Sequence, residues 1–334
     1  MHDKEVSPVA MTHTRFDVER ITRAASRQKL AITVLSGGPS GEREISLQSG
    51  QAVAAALQSQ GHNVHVEDIS ADNLGALARA VDCVFVALHG TFGEDGQVQE
   101  ILERRNIAYT GSGPAACALA MDKAAAKEAF KGAGVPTPRY AVATAANLRE
   151  ALAAWSLPVV VKPVKEGSSL HCYIVREFDQ LRPAAQRVID AYGSALIEEF
   201  IPGKEITVGI LGDRTLPPIE IRTRREFYDY KAKYLDDDTQ YLFDIDLPPA
   251  LLQQIADQSL AAHHALGCRD FSRLDWRVDP SSGKAFLLEA NVVPGLTNHS
   301  LVPKAASQVG ITMAQLCQFL IDSAIKRRFA KPNG

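Results

Sequence analysis

Apolar residues recur along the chain with two spacings. Short β-branched runs alternate with longer stretches whose apolar positions fall three or four apart, and the order of the two predicts the architecture. The first run, AITVL after Leu30, ends in Ser36-Gly37-Gly38-Pro39-Ser40-Gly41, a strand passing into a glycine-rich turn. A helical segment follows over 45–60, with Val53 and Leu57 at helical spacing, and NVHVEDI and DCVFVAL read as two more strands. Strand–helix–strand alternation predicts a parallel sheet covered on both faces. This unit closes near Lys123.

A helix over 123–132 stops at Gly134, with Pro136 beyond it. LPVVVKP, CYIV, SALIEEF and EITVGIL are four strand-like runs with one helical stretch, 179–192, among them. Strands joined by turns predict an antiparallel sheet. RTRREFYDYKAKYLDDDTQY has little periodicity, and irregular chain of that length inside a compact protein is usually a functional loop. Helix returns over 248–266, then two strands (SRLDWRVD and KAFLLEANV), then a final helix over 312–328. The expected division is a polar extension over 1–28, an α/β domain over 29–123, and further subdomains over 124–206 and 207–330. The extension is expected to hold a short helix over 17–28, and Met11 is an alternative start.

Composition narrows the classes. At 334 residues with a net charge of −3, the chain has no basic surplus for nucleic acid and no acidic tail. No apolar run reaches the ~18 residues of a membrane span. Residues 1–28 lack an apolar signal core, and Asp3, Glu5, Asp17 and Glu19 disfavour an organellar presequence. Five scattered cysteines (Cys83, Cys117, Cys172, Cys268, Cys317) form no CxxC pair, which fits a reducing compartment. The expectation is a cytoplasmic protein with no membrane or nucleic-acid partner.

Several segments carry candidate chemistry. SGGPSGERE is either an anion-binding turn before a helix or a plain strand–helix turn. ALHGTFGEDG places glycines and acids just after a buried strand, where parallel sheets gather ligands, or it is a surface loop. In VVVKPVKEGSS, Lys162 ends an apolar strand before a small loop containing Ser168 and Ser169, a good arrangement for gripping and shielding a triphosphate. Glu198 in LIEEF offers a carboxylate to an adenine amino group or a ribose hydroxyl, or is an edge-strand charge. Glu289 and Asn291 are two apart and share a strand face, and a hairpin would let Asp275 join them. Such an oxygen-only set suits Mg²⁺ or Mn²⁺, against the alternative of a polar hairpin face.

Together LSGGPSGEREISL, ALHGTFGEDGQVQ, YTGSGPAACALAMDKAAAK, VVKPVKEGSS, LIEEFIPGKE, FYDYKAKY, RLDW, LLEAN and PGLTNHSLVP, in that order, resemble the D-alanine–D-alanine ligases, a branch of the ATP-grasp family. The resemblance implies an α/β fold with α+β elements: a Rossmann-like parallel-sheet domain, then two mixed or antiparallel subdomains that sandwich ATP. It implies ligation of two D-alanine molecules through an acyl phosphate, for peptidoglycan precursors, by a homodimer.

By the same resemblance, Glu42 receives the ammonium of the first D-alanine, with His89 nearby. Lys123, Lys162 and, from the long loop, Lys233 bind phosphates, with Ser168 and Ser169 beside them. Glu198, the backbone at Phe200 and Ile201, and Glu205 hold adenine and ribose. Asp275, Glu289 and Asn291 hold two Mg²⁺ or Mn²⁺ ions. Arg273 and the Gly295 N–H stabilise the oxyanion, while Ser300 and the Leu301 N–H bind the second carboxylate. Glu42, Ser168 and Tyr234 match the family's loop-closing hydrogen-bonded trio.

The chain departs from the pattern in three places: His171 stands where the family has glycine, Val292-Val293 replace a polar-containing pair, and residues 1–28 have no counterpart. Tyr234 is intact, which favours an amine nucleophile. The competing readings are a dipeptide or depsipeptide ligase with another amino acid or hydroxy acid, and a nucleotide-binding protein without turnover. A nicotinamide oxidoreductase would need GxGxxG, a spacing that SGGPSG lacks.

Overall fold

The structure, a computed structural model, describes residues 28–153, 155–167, 171–223, 239–297 and 299–330. Three sheets divide the chain. The first holds β1 (Ala31–Ser36), β2 (Asn63–Asp68) and β3 (Cys83–Val86), parallel and ordered β2-β1-β3. Helix α1 (Arg43–Ser59) makes the crossover from β1 to β2, and α2 (Gln97–Arg104) follows β3. Alternate residues of the buried strands enter different cores, as the strand period of two requires: Ile32, Val34 and Phe85 face α1, while Leu35, Val84 and Val86 face Val98 and Leu102 of α2.

Helices α3 (Pro114–Met121) and α4 (Lys123–Gly132) come next. Asp122 caps α4, its side chain accepting the Ala125 N–H at 3.0 Å. Ala126 and Phe130 of α4 pack into the core of the third sheet, so the chain visits that layer before it builds the second. The second sheet contains β4 (Tyr140–Thr144), β5 (Val159–Pro163), β6 (Tyr173–Val175) and β7 (Ser194–Glu199), antiparallel in the order β4-β7-β5-β6. The short α5 (Leu148–Ala151) and the long α6 (Phe178–Tyr192) belong to this unit.

The third sheet is built from β8 (Lys204–Leu211), β9 (Arg214–Thr215), β10 (Ile219–Arg222), β11 (Gln240–Leu242), β12 (Phe271–Val278) and β13 (Ala285–Asn291). Its order is β11-β10-β8-β12-β13, with β9 on β8. Helix α7 (Pro249–Ala265) covers one face, and α8 (Leu301–Gln308) and α9 (Met313–Ala330) close the chain against the other. Among the described residues no helix is long and apolar enough to cross a membrane.

Two expectations need correction. EITVGIL does not join the sheet of the three runs before it: it is β8, paired along its whole length with β12, from Leu211↔Phe271 to Lys204↔Val278. That ladder joins segments about sixty residues apart and outweighs the short turn back to β7. The aperiodic stretch is also not irregular at its ends, because Arg222 pairs with Gln240 and Ile221 with Tyr241. The expected helix over 17–28 lies, except for Gln28, outside the described residues.

The first and third sheets share a core. Val34, Phe85, Leu211, Phe271, Leu301, Leu316 and Leu320 belong to one buried cluster, with α9 wedged between the sheets. Replacing Leu320, which is fully buried, by alanine should cost about 2–5 kcal/mol of folding stability. Urea unfolding would measure it, and an unchanged midpoint would contradict the shared core.

Candidate active site

The site begins with strand parity. On β12 the even residues Leu274, Trp276 and Val278 enter the core, so Arg273, Asp275 and Arg277 face the other way. On β13 the core residues are Ala285 and Leu287, and simple alternation would send Glu289 into the core with them. A β-bulge prevents this. Asp275 pairs with Glu289 but Trp276 pairs with Leu287, leaving Leu288 as the extra residue. The bulge turns Glu289 and Asn291 to the side of Arg273 and Asp275 while Ala290 takes the core position.

Two carboxylates therefore stand directly opposite each other, Asp275 on Glu289, with Arg273 opposite Asn291. Like charges at facing positions are unfavourable without cations. Arg273 supplies one, with Nη2 2.7 Å from Asp275 Oδ2 and Nε 2.9 Å from Oδ1. Thr207 Oγ1 donates to Asp275 Oδ1 at 2.7 Å. Asn291 Oδ1 accepts the Val293 N–H at 3.0 Å, which fixes the amide and leaves its second lone pair available. Among the described residues no three His, Cys, Asp or Glu side chains cluster as a metal site. Two carboxylates and an amide oxygen on one face nevertheless form a hard-oxygen set that fits Mg²⁺ or Mn²⁺ completed by phosphate oxygens.

Two cavities meet at this hairpin. The larger, about 840 Å³ counted to its open mouth, lies between the second and third sheets. Lys162, Glu198, Phe200, Ile201, Glu205 and Asp275 are among its walls. Lys162 Nζ sits 2.6 Å from Glu198 Oε1. Burial alone would lower the Lys162 ammonium, but Glu198 and Glu289 hold it above the usual lysine range. Burial likewise opposes charge on Glu198, yet Lys127 and Lys162 hold its carboxyl below the ordinary value. Glu205 pairs with Arg277, Oε2 to Nη1 at 3.1 Å, and Arg277 Nε also donates to the Ile201 carbonyl at 3.1 Å. The Phe200 N–H is spent on the Pro158 carbonyl at 3.3 Å.

The second cavity is lined by Glu42, His89, Glu94, Arg273, Asn291 and Gly295, among others. It shares Lys123, Glu166, Gly167 and Glu289 with the first, so these four residues form a common wall. Lys123 Nζ donates to the Glu166 carbonyl at 2.5 Å, and burial pushes its ammonium below the usual range. Glu42 sits at the head of α1. A Cβ on Gly167 would lie 2.7 Å from Glu42 Oε2, and one on Gly90 would lie 3.0 Å from the same atom. A side chain at either position would push the Glu42 carboxylate from its place.

His89 is buried with Nδ1 3.0 Å from the Val293 carbonyl and 3.4 Å from Glu94 Oε1, while Nε2 lies 3.0 Å from Ser49 Oγ. Acceptors around Nδ1 place a proton there. Burial raises the Glu94 carboxyl above its ordinary value. Gly295 lines the second cavity, and Ser300 packs behind it. Ser300 stands at the N-cap position of α8, and its Oγ turns back to accept the Thr297 N–H at 2.9 Å rather than a helix N–H. Leu301 is therefore in the first turn of α8, where backbone N–H groups and the helix dipole favour a carboxylate.

Ser168, Ser169, Lys233 and Tyr234 lie outside the described residues. His171 lines neither cavity. Its backbone is left-handed (φ 53), a conformation that glycine adopts without strain, and its ring turns to Tyr192, Nδ1 to Oη 2.7 Å. Val292 and Val293 pack in the core of the third sheet, and Val293 contributes its carbonyl to His89. Reasoning from the sequence missed Glu94, Glu166, Gly167 and Arg277 as site residues. For Glu94 the signal was present in the acids of GTFGEDG. For Arg277 it was the i, i+2 step from Asp275.

Two family models match the chain: D-ala D-ala ligase N-terminus over residues 67–112 and D-ala D-ala ligase C-terminus over residues 129–322. A D-alanine–D-alanine ligase of Granulibacter bethesdensis is 43% identical over 302 residues, covering 89% of this chain and 98% of the relative. The crystal structure of a D-alanine–D-alanine ligase from Bacillus anthracis complexed with ATP superposes with a TM-score of 0.76 at 31% identity, over 90% of this chain and 99% of that one. The VanG D-Ala:D-Ser ligase from Enterococcus faecalis superposes with a TM-score of 0.78 at 27% identity, over 88% and 99%.

Proposed function

Because the chain belongs to the D-alanine–D-alanine ligase family, we infer that it is an ATP-dependent ligase that joins two D-alanine molecules into D-alanyl-D-alanine for peptidoglycan synthesis. The observation that carries the site assignment is the wall common to both cavities. Lys123, Glu166, Gly167 and Glu289 line both cavities, which supports a carboxylate in the second meeting a terminal phosphate in the first.

In this reading the first D-alanine places its ammonium on Glu42 beside His89, and its carboxylate attacks the γ-phosphorus. The bond from that phosphorus to the bridging oxygen of ADP breaks, leaving an acyl phosphate. Lys123 and Lys162 grip the phosphates, as Lys233, Ser168 and Ser169 do from segments outside the described residues. Glu198, Glu205 and the backbone at Phe200 and Ile201 hold the nucleoside. Asp275, Glu289 and Asn291 would hold two Mg²⁺ or Mn²⁺ ions, whose charge neutralises the phosphoryl oxygens when bound.

The second D-alanine docks its carboxylate at Ser300 and the Leu301 N–H. Its amine, having released one proton to solvent, attacks the acyl carbonyl; Arg273 and the Gly295 N–H stabilise the oxyanion, and the carbon–oxygen bond to phosphate breaks as the nitrogen gives its second proton to the departing phosphate. Ser168 and Tyr234 close the loop onto Glu42. A cytoplasmic homodimer is the assembly that accompanies this reading.

The likeness to the D-Ala:D-Ser ligase favours a second reading, in which the acceptor is another amino acid or a hydroxy acid. A panel of D- and L-amino acids and D-lactate with ATP and Mg²⁺, followed by phosphate release and product mass, separates the two. D-Alanyl-D-alanine as the dominant product is expected. A dominant mixed product or depsipeptide would establish the second reading, and no phosphate release with any acceptor would overturn both.

Gly167→Ala gives a sharper test of the shared wall. The added methyl overlaps Glu42 Oε2, so the KM for the first D-alanine should rise about tenfold or more. Steady-state kinetics with varied D-alanine would show it, and an unchanged KM would separate Glu42 from the substrate ammonium.

A further inference from the structure

Lys127 lines neither cavity, yet it is fully buried. Burying an ammonium is costly unless partners surround it. It lies one helical turn after Lys123 on α4. Its Nζ forms an ion pair with Glu198 Oε2 at 3.0 Å, the distance of a salt bridge without the alignment of a hydrogen bond, and donates to Thr137 Oγ1 at 2.8 Å. The other Glu198 oxygen is the one held by Lys162. Thr137 Oγ1 in turn donates to the Leu287 carbonyl at 2.8 Å, and the Leu287 N–H donates to the Pro136 carbonyl at 2.8 Å. Leu287 stands on β13 immediately before the bulge that aims Glu289. One ammonium thus joins α4, strand β7 of the second sheet and, through a single hydroxyl, strand β13 of the third.

Resting on the reading of the larger cavity as the nucleotide site, we propose that Lys127 is a positioning residue for ATP. It locks the Glu198 carboxylate from behind, so that Glu198 and Lys162 meet the nucleotide already oriented, and it ties them to the metal-bearing hairpin across the cleft. A carboxylate held on one oxygen can still rotate, whereas one held on both cannot. Lys127 supplies the second hold without occupying any of the volume the nucleotide needs.

The surroundings also make this hold dependent on pH. Glu198 faces Lys127 from β7, Lys162 from β5, Glu289 from β13 and the Tyr140 ring from β4, 5.8 Å away; Lys123 shares its helix. Burial lowers Lys127 to about 8, with Glu198 opposing the drop and Lys162 adding to it. Lys127 therefore carries its charge at neutral pH and loses it in mildly alkaline solution. Lys123 is lowered too, so an alkaline loss of affinity must be assigned with a variant. Arginine at 127 keeps its charge throughout that range and is the variant that does so.

The experiment is calorimetric titration of Mg²⁺-ATP into the wild type, Lys127→Met, Lys127→Arg, Glu198→Gln and the Lys127→Met/Glu198→Gln pair, with steady-state kinetics alongside. At neutral pH, Lys127→Met should weaken ATP binding about tenfold and raise the KM for ATP alike, while the KM for D-alanine holds within about twofold. Lys127→Arg should recover most of the affinity. Adding Lys127→Met to Glu198→Gln should cost little more than Glu198→Gln alone. Wild-type affinity should fall several-fold from about pH 7 to about pH 9, and Lys127→Arg should remove most of that fall.

Additive losses in the double variant, or a pH dependence unchanged in Lys127→Arg, would overturn the proposal. So would ATP binding by Lys127→Met as tight as that of the wild type. A wild type that binds no ATP would overturn the nucleotide reading, and the role of Lys127 with it.

Discussion

Glu289→Ala is expected to lower kcat by about 10³-fold or more, equivalent to about 4 kcal/mol of transition-state stabilisation. The effect should come without loss of fold. Glu289 stands directly opposite Asp275, a repulsion offset by its attraction to the Lys123 and Lys162 ammoniums. The variant should therefore stay folded while losing turnover and Mn²⁺ affinity together. Joint loss of turnover and Mn²⁺ binding in a folded protein distinguishes a metal ligand from a residue that only supports the fold. A Glu289→Ala enzyme with wild-type kcat and wild-type Mn²⁺ binding would remove the hairpin from the chemistry.

Arg273→Met should be nearly as damaging to turnover, about 10²–10³-fold, because it deletes the side chain assigned to the oxyanion. Here stability should fall as well. Arg273 holds both oxygens of Asp275, and both side chains are largely buried. Without it, Asp275 keeps only Thr207 and still faces Glu289, an uncompensated buried charge worth about 3–5 kcal/mol. A divalent cation would then take over the lost compensation. Mg²⁺ should raise the melting temperature of Arg273→Met more than that of the wild type, since binding to the folded form alone adds stability. Equal Mg²⁺ shifts in both proteins would show that the ion does not contact Asp275. Lysine at 273 should recover part of the stability but little of the rate, because an ammonium cannot span both oxygens.

Much of this arrangement was legible in the chain. Strand–helix alternation pointed to the parallel first sheet, and the i, i+2 step from Glu289 to Asn291 put both on one face. What was not legible depends on pairing at a distance. The bulge at Leu288 decides whether Glu289 faces the cleft or the core, and no feature of KAFLLEAN marks it, because Ala285 and Leu287 alternate cleanly up to that point. The membership of β8 in the third sheet rests on a ladder to β12 that a local reading cannot foresee.

Lys127 reads in KAAAKEAFKG as an ordinary exposed helix lysine. Only the docking of α4 between the second and third sheets buries it against Glu198. The same holds for Gly167, which lies against the carboxylate of Glu42, more than a hundred residues away. Short helices such as α2, α3 and α8, eight residues each, span too few turns for periodicity to declare them. Conversely, Ser168, Ser169, Lys233 and Tyr234 were singled out from motifs alone and lie outside the described residues.

The central claim is that Asp275, Glu289 and Asn291 would hold two divalent ions beside a triphosphate gripped by Lys123 and Lys162. Anomalous diffraction from crystals grown with Mn²⁺ and ATP tests it most directly. Two manganese peaks are predicted, with the oxygens of those three side chains about 2.0–2.2 Å away and phosphate oxygens completing each shell. Manganese bound elsewhere, or a triphosphate lying away from Lys123 and Lys162, would contradict it.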